Sequence, residues 1–260
     1  MRKASLQLLF ISLITLLMTT SAQARAVKMI FWYPGEAGST VEGQPVLDAF
    51  FDYVNKKIAP DSVSGRYFNG VADGLQYIMK EKPAVGIISF SAWSQNIAKL
   101  ANAKALLAVL PLPGGQMTER YALVSALSEI KPGTKIISSE PLSLEFVKKS
   151  LFPKLPADVS IAQSPQLFAS VKKIADGGLS AAAILTSNEA ATLNQVSAIW
   201  VKSLKTVALS EPVPTARLVL FDQGWSGVEK FKQALLSIGA DPAAKDVMDE
   251  MRLKGFAETR

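Results

Sequence analysis

Residues 85 to 100 read Val-Gly-Ile-Ile-Ser-Phe-Ser-Ala-Trp-Ser-Gln-Asn-Ile-Ala-Lys-Leu, an apolar run that passes directly into a stretch where Trp93, Ile97 and Leu100 recur at helical spacing. A short unbroken apolar run fits a strand covered on both faces, and three-to-four spacing fits a helix with one buried face. The same pairing extends outward on both sides. Upstream, Val27 to Trp32 reads as a strand, and Pro45 opens a helix whose apolar face carries Leu47, Phe50, Phe51, Val54 and Ile58, with proline in its tolerated place at the first turn. Val63 to Phe68 is the next strand, and Val71, Leu75, Ile78 and Met79 mark the next helix. Downstream, Ala105 to Leu110 is again a strand. This alternation predicts an α/β protein with largely parallel sheets.

Pro111, Pro113, Gly114 and Gly115 interrupt the pattern, and Pro212 and Pro214 interrupt it again. Between them lies a second set of alternations: an extended run over 120–126, strands at 135–138, 159–162 and 179–185, and helices at 144–151, after Leu167 and after Glu189. Extended runs at 206–210 and 218–221 flank the second break, and the final stretch reads as two helices, one with Val228, Phe231, Leu235 and Ile238, the other from Asp241-Pro242. Two breaks that bracket a middle set predict one lobe of residues 25–115 and 213–260 and another of 116–212. A cleft between them is expected, with ligand beyond the carboxyl ends of the strands, where loops lead into helix N-termini.

The 260 residues carry 28 Lys+Arg against 22 Asp+Glu and contain neither cysteine nor histidine. That excludes disulfides, thiolate nucleophiles, imidazole metal ligands and any Ser-His-Asp triad. Arg2 and Lys3, the apolar run Leu6 to Met18 and the small residues of 21–26 form an export leader, with cleavage expected after Ala24. The apolar run is shorter than the ~20 residues of a membrane-spanning helix. Removing 1–24 takes away two basic residues and leaves 26 against 22, a balance of +4. The remaining basic pairs, such as Lys56-Lys57 and Lys172-Lys173, lie on polar sides of helical patterns and form no stripe for nucleic acid. Ser170 and Lys173 have Ser-x-x-Lys spacing, but they share a helix whose apolar face is Leu167, Phe168, Val171 and Ile174, so both are expected to face water. No catalytic residue, metal or cofactor is expected.

The leader, the strand ending in Trp32-Tyr33-Pro34-Gly35, the Gly38-Ser39-Thr40 turn, the run Ala84 to Trp93, Ser138 to Ser143, and the ending Ala240-Asp241-Pro242 through Gly255-Phe256 together resemble the phosphonate-type periplasmic solute-binding proteins of ABC importers. The resemblance spans the mature chain in order. It implies a two-lobed type II periplasmic-binding fold, a monomer that captures a small polar ligand in the periplasm and passes it to an ABC permease. A phosphonate- or phosphate-like oxyanion is one candidate ligand. The alternative is a sensor or interaction subunit of the same fold that presents a lobe to a membrane receptor. Where phosphonate-binding members commonly carry Ser-Thr-Ser-Gly, this chain has Leu142-Ser143-Leu144-Glu145, and a carboxylate there would repel an anion.

Candidate ligand-binding residues follow from the strand-to-helix junctions. In the first lobe these are Tyr33, the turn Gly38, Ser39 and Thr40, then Asn69, and Ser89, Ser91 and Trp93 after the central strand. In the second lobe they are Ser139, Ser143, Thr186 and Ser187. Each has a plainer alternative, since hydroxyls and amides at such junctions also cap helices. No arginine stands at these junctions, so hydroxyls, backbone N–H groups and aromatic faces are the expected recognition elements.

Overall fold

The computed structural model describes residues 24–36, 38–100 and 103–259; the leader expected over 1–24 falls almost entirely outside them. In chain order the first body is β1 (Ala26–Trp32), α1 (Thr40–Ile58), β2 (Ser62–Phe68), α2 (Val71–Glu81), β3 (Val85–Ile88), α3 (Phe90–Asn96) and β4 (Lys104–Pro111). The chain then crosses through β5 (Thr118–Glu119) to β6 (Ala122–Ser125), β7 (Lys135–Ser138), α4 (Leu144–Phe146), β8 (Ser160–Gln163), α5 (Leu167–Ala175), β9 (Ala181–Leu185), α6 (Ser187–Gln195) and β10 (Lys205–Leu209). It returns through β11 (Val213–Pro214) to β12 (Arg217–Leu220), α7 (Val228–Ile238), α8 (Lys245–Glu250) and β13 (Leu253–Glu258).

These strands build a six-stranded sheet, order β13-β4-β12-β3-β1-β2, and a five-stranded sheet, order β10-β6-β9-β7-β8. A two-stranded pair joins β5 to β11 in the crossing region. Both larger sheets are mixed. β1 pairs parallel with β2 and β3, and β7 pairs parallel with β8 and β9. β12, β13, β6 and β10 run antiparallel to their neighbours, so the parallel share is smaller than the alternation predicts. The physical reason is that the long crossings bring the chain back from the opposite end.

Alternation along β1 shows how the first sheet is covered on both faces. Val27, Met29 and Phe31 enter the cluster with Phe50, Val54 and Phe231, contributed by α1 and α7, whereas Ile30 and Trp32 enter the cluster with Ala92 and Leu100 on the other face. Trp32 also explains a glycine inside α2. A Cβ on Gly74 would lie 2.3 Å from the Trp32 indole nitrogen, which donates to the Gly70 carbonyl at 3.0 Å. In the second sheet, Ile136 and Ile137 of β7 likewise go to opposite clusters.

Three expectations about elements need correction. α1 begins at Thr40, one turn before Pro45, because Ser39 caps it by accepting from the Glu42 amide at 3.2 Å; Pro45 lies inside the helix. The closing strand β13 was not expected. It pairs antiparallel with β4 through a register shift between Leu253 and Gly255, and that irregularity, with Lys254 and Glu258 interspersed, hides the alternation of a strand. The segment read as a helix over 144–151 is a single α-turn that widens into a π-helical turn at Val147–Leu151.

Candidate functional site

The carboxyl ends of β1, β3, β4, β7 and β9 converge on a cavity of about 500 Å³ between the two sheets. The first body supplies Phe31, Tyr33, Glu36, Tyr67 and Ser89, and residues 250–253 at the entry to β13. The second body and the crossing supply Glu119, Tyr121, Glu140, Thr186 and Asn188.

The bodies also touch directly. The Ser91 hydroxyl donates to Glu140 Oε1 at 3.1 Å, and the Ser143 amide donates to Gln95 Oε1 at 2.7 Å. Gly35, at φ +89°, passes so close that a Cβ there would lie 2.4 Å from the Ser139 carbonyl oxygen. Only glycine satisfies both the positive φ and the close approach.

Among the expected residues, Tyr33, Gly38, Ser39, Ser89 and Thr186 line the cavity. Three of these hydroxyls also cap helices: Ser39 caps α1, Ser89 accepts from the Ala92 amide at α3, and Thr186 forms a reciprocal capping box with Glu189 at α6.

The remaining expected residues are placed elsewhere. Thr40 spends its hydroxyl on the Tyr67 carbonyl at 2.7 Å, tying α1 to β2. Asn69 is not the cap of α2, which is Gly70; its side-chain amide donates to the Glu36 and Gly38 carbonyls and fastens the loop that carries Glu36. Trp93 packs against the cluster of Ile30, Trp32 and Leu100, as its shared helical face with Leu100 allows. Ser91 stands behind the wall, holding Glu140. Ser139 is buried and its carbonyl accepts from Gln163 Nε2. Ser143 caps α4 by accepting from the Phe146 amide at 3.1 Å. Ser187 donates to Glu119 Oε2 at 2.8 Å and faces a neighbouring hollow of about 370 Å³.

The residues that sequence reasoning missed are mainly acids. Glu140 is buried, with Oε2 accepting from the Tyr121 hydroxyl at 2.9 Å and Oε1 from Ser91. Desolvation raises its pKa to about 8; the Tyr121 and Ser91 hydrogen bonds oppose the shift, and the charges of Glu119 and Glu189 add to it. Glu119 is raised chiefly by burial, against the hydrogen bond from Ser187. Glu36, exposed at the rim, is also raised, first by desolvation, then by Glu189 and Glu119, with Arg252 opposing. Tyr33 and Tyr67 are raised by burial and by the charge of Glu36. Arg252 reaches the cavity from the entry to β13, outside the strand-to-helix junctions where no arginine was expected. Its backbone is left-handed at φ 54°, which no local sequence signal announces. The Glu in Ser138-Ser139-Glu140-Pro141 was a legible signal, an acid at a strand's carboxyl end.

Two helix-flanked sheets, joined by paired crossings around a cavity, make up the two-lobed type II periplasmic-binding fold. Solved structures share it. A binding protein component of an ABC phosphonate transporter from Pseudomonas aeruginosa matches with a TM-score of 0.65 at 12% identity, over 91% of this chain and 82% of that one. A Xanthomonas citri protein solved with chloride gives a TM-score of 0.70 at 11% identity, over 90% of this chain and 92% of its own, and it has also been solved with ATP. PhnD1 from Prochlorococcus marinus, in complex with methylphosphonate, gives 0.63 at 11% identity, over 90% and 93%. At such identities the likeness establishes the fold. No family model and no curated protein matches the sequence.

Proposed function

We propose that the chain is a periplasmic solute-binding protein that captures one small polar ligand between its lobes and delivers it to an ABC permease, without chemistry on the ligand. The observation that carries this reading is the cavity of about 500 Å³ walled by both sheet bodies at the carboxyl ends of their strands. That size suits a small molecule.

The lobes of this reading are 25–115 with 213–260, and 116–212. Support comes from the pairing of Thr118–Glu119 with Val213–Pro214, which lays the two crossings side by side where a hinge would bend. Export to the periplasm rests on the leader-like residues 1–24, and no helix among the described residues is long and apolar enough to cross a membrane.

The test is a thermal-shift screen of the mature protein against oxyanions, phosphonates, sulfonates, amino acids, amines and vitamins, with X-ray scattering on each hit. A saturable hit that reduces the radius of gyration is the expected result. No binding by any class, or binding with an unchanged scattering profile, would defeat the reading.

A further inference from the structure

The ionisable groups around the cavity are unevenly signed. Glu36, Glu119, Glu140 and Glu250 line it, and among the described lining residues Arg252 is the single basic one. The acids come from both bodies and from the crossing, so the imbalance belongs to the cavity as a whole. Glu140, with its pKa raised to about 8, is mostly protonated at neutral pH, so an oxyanion in this space would face Glu36, Glu119 and Glu250, and such like-charge juxtaposition disfavours binding.

Four aromatic side chains share the wall with small, polar and aliphatic residues. Tyr33, Tyr67, Tyr121 and Phe31 bring ring surface to the same space. Aromatic faces attract cations, and carboxylates in a partly desolvated site need a positive partner. The described residues contain no group of three or more acids that could converge on a metal ion. The positive charge that this wall fits is therefore carried on a molecule with apolar surface of its own.

We propose that the cavity takes a small organic cation, with its ammonium group beside Glu36 and Glu119 and its apolar part against the rings of Tyr33, Tyr67 and Tyr121. The inference rests on the solute-binding reading above and names the ligand class for that same site. It sets the chain apart from the fold's relatives solved with chloride, ATP or methylphosphonate. Glu36, Glu119 and Glu140 all hold their protons more tightly than free carboxyls do, and for Glu36 and Glu140 neighbouring acids are part of the cause. A bound positive charge relieves that mutual repulsion.

The experiment is titration calorimetry of the mature protein with choline and putrescine, in parallel with methylphosphonate, inorganic phosphate and glucose. Choline or putrescine is expected to bind saturably. Glu36→Gln at the rim and Glu119→Gln deeper in should each weaken that binding about tenfold or more, while circular dichroism stays unchanged. Binding of a phosphonate, phosphate or sugar but of neither cation overturns the inference and leaves the solute-binding reading standing. Binding of none of the five overturns the inference too, and the broader screen then decides the solute-binding reading separately. Cation binding that both variants retain in full overturns the placement of the ammonium group.

Discussion

A Cβ built on Gly35 lies 2.4 Å from the carbonyl oxygen of Ser139, so the loop after the first strand and the loop after β7 meet backbone to backbone. No rotamer can relieve this contact, because both partners are main chain. Gly35 is also left-handed, at φ +89°, where an L-residue is strained.

Gly35→Ala should therefore hold the lobes apart. We expect affinity for the bound solute to fall about tenfold or more, and the scattering profile with solute to keep the radius of gyration of the free protein. Unchanged affinity and full closure would mean that this contact does not form in the bound state.

Glu140 predicts a pH dependence of stability. Its pKa in the folded chain, about 8, lies above the ordinary 4.5, so the folded state binds the proton more tightly than the unfolded state. The resulting stabilisation is complete below about pH 4.5 and is lost as pH rises from there through about 8. Burial is the main cause of this shift; the charges of Glu119 and Glu189 add to it, and the hydrogen bonds from Tyr121 and Ser91 oppose it. Glu140→Gln removes the titration, so its melting temperature should fall less between pH 5 and pH 8, roughly, than that of the parent. Parallel melting curves across that window would refute the assignment.

Thr40 and Ser143, expected from sequence to touch ligand, instead hold structure. Thr40 ties α1 to the Tyr67 carbonyl, and Ser143 caps α4. Each change to alanine should cost about 0.5–2 kcal/mol in stability, the range for lost caps and comparable hydrogen bonds. Solute affinity should stay within about twofold, well under the tenfold that ~1.4 kcal/mol represents. Thermal denaturation and calorimetry on the same two variants check both halves, and a large affinity loss in either would return that residue to the site.

Gly74→Ala tests the packing of α2. On an exposed helix this change is favourable by about 1 kcal/mol. Here the new methyl meets the Trp32 indole at 2.3 Å and pushes on its bond to Gly70, so overpacking should prevail and destabilise by ~1–3 kcal/mol. A rise in melting temperature would show that the indole moves aside freely.

The strands of both lobe cores were legible because each holds an unbroken run of apolar residues covered on both faces: Met29 to Trp32, Val85 to Ile88 and Ala181 to Leu185 need no context to read as buried. β13 was not, because its stability comes from pairing with β4, a non-local contact that leaves no local pattern at Lys254-Gly255. The site divides the same way. Tyr33 and Ser89 stand directly at strand ends and can be placed at the cavity by position, whereas the acids Glu36, Glu119 and Glu140 come from separate segments and acquire a shared character only when folding gathers them. Hydroxyls at helix starts were over-read. Capping uses the same residues as ligand binding, and at Ser143 the cap is what the hydroxyl serves.

The acid wall gives this protein two opposite electrical identities. Its formal balance is +6, or +4 without residues 1–24, and a resin or an anionic surface will sense that basic exterior. A solute in the cavity senses the charges of Glu36, Glu119 and Glu250 instead. The isoelectric point is thus a misleading guide to what the molecule carries. Salt separates the two identities: attraction between exposed charges fades beyond ~10 Å at 0.1 M ionic strength, while partly buried groups are screened far less. Added salt should elute the protein from a cation exchanger well before it displaces a cation from the cleft.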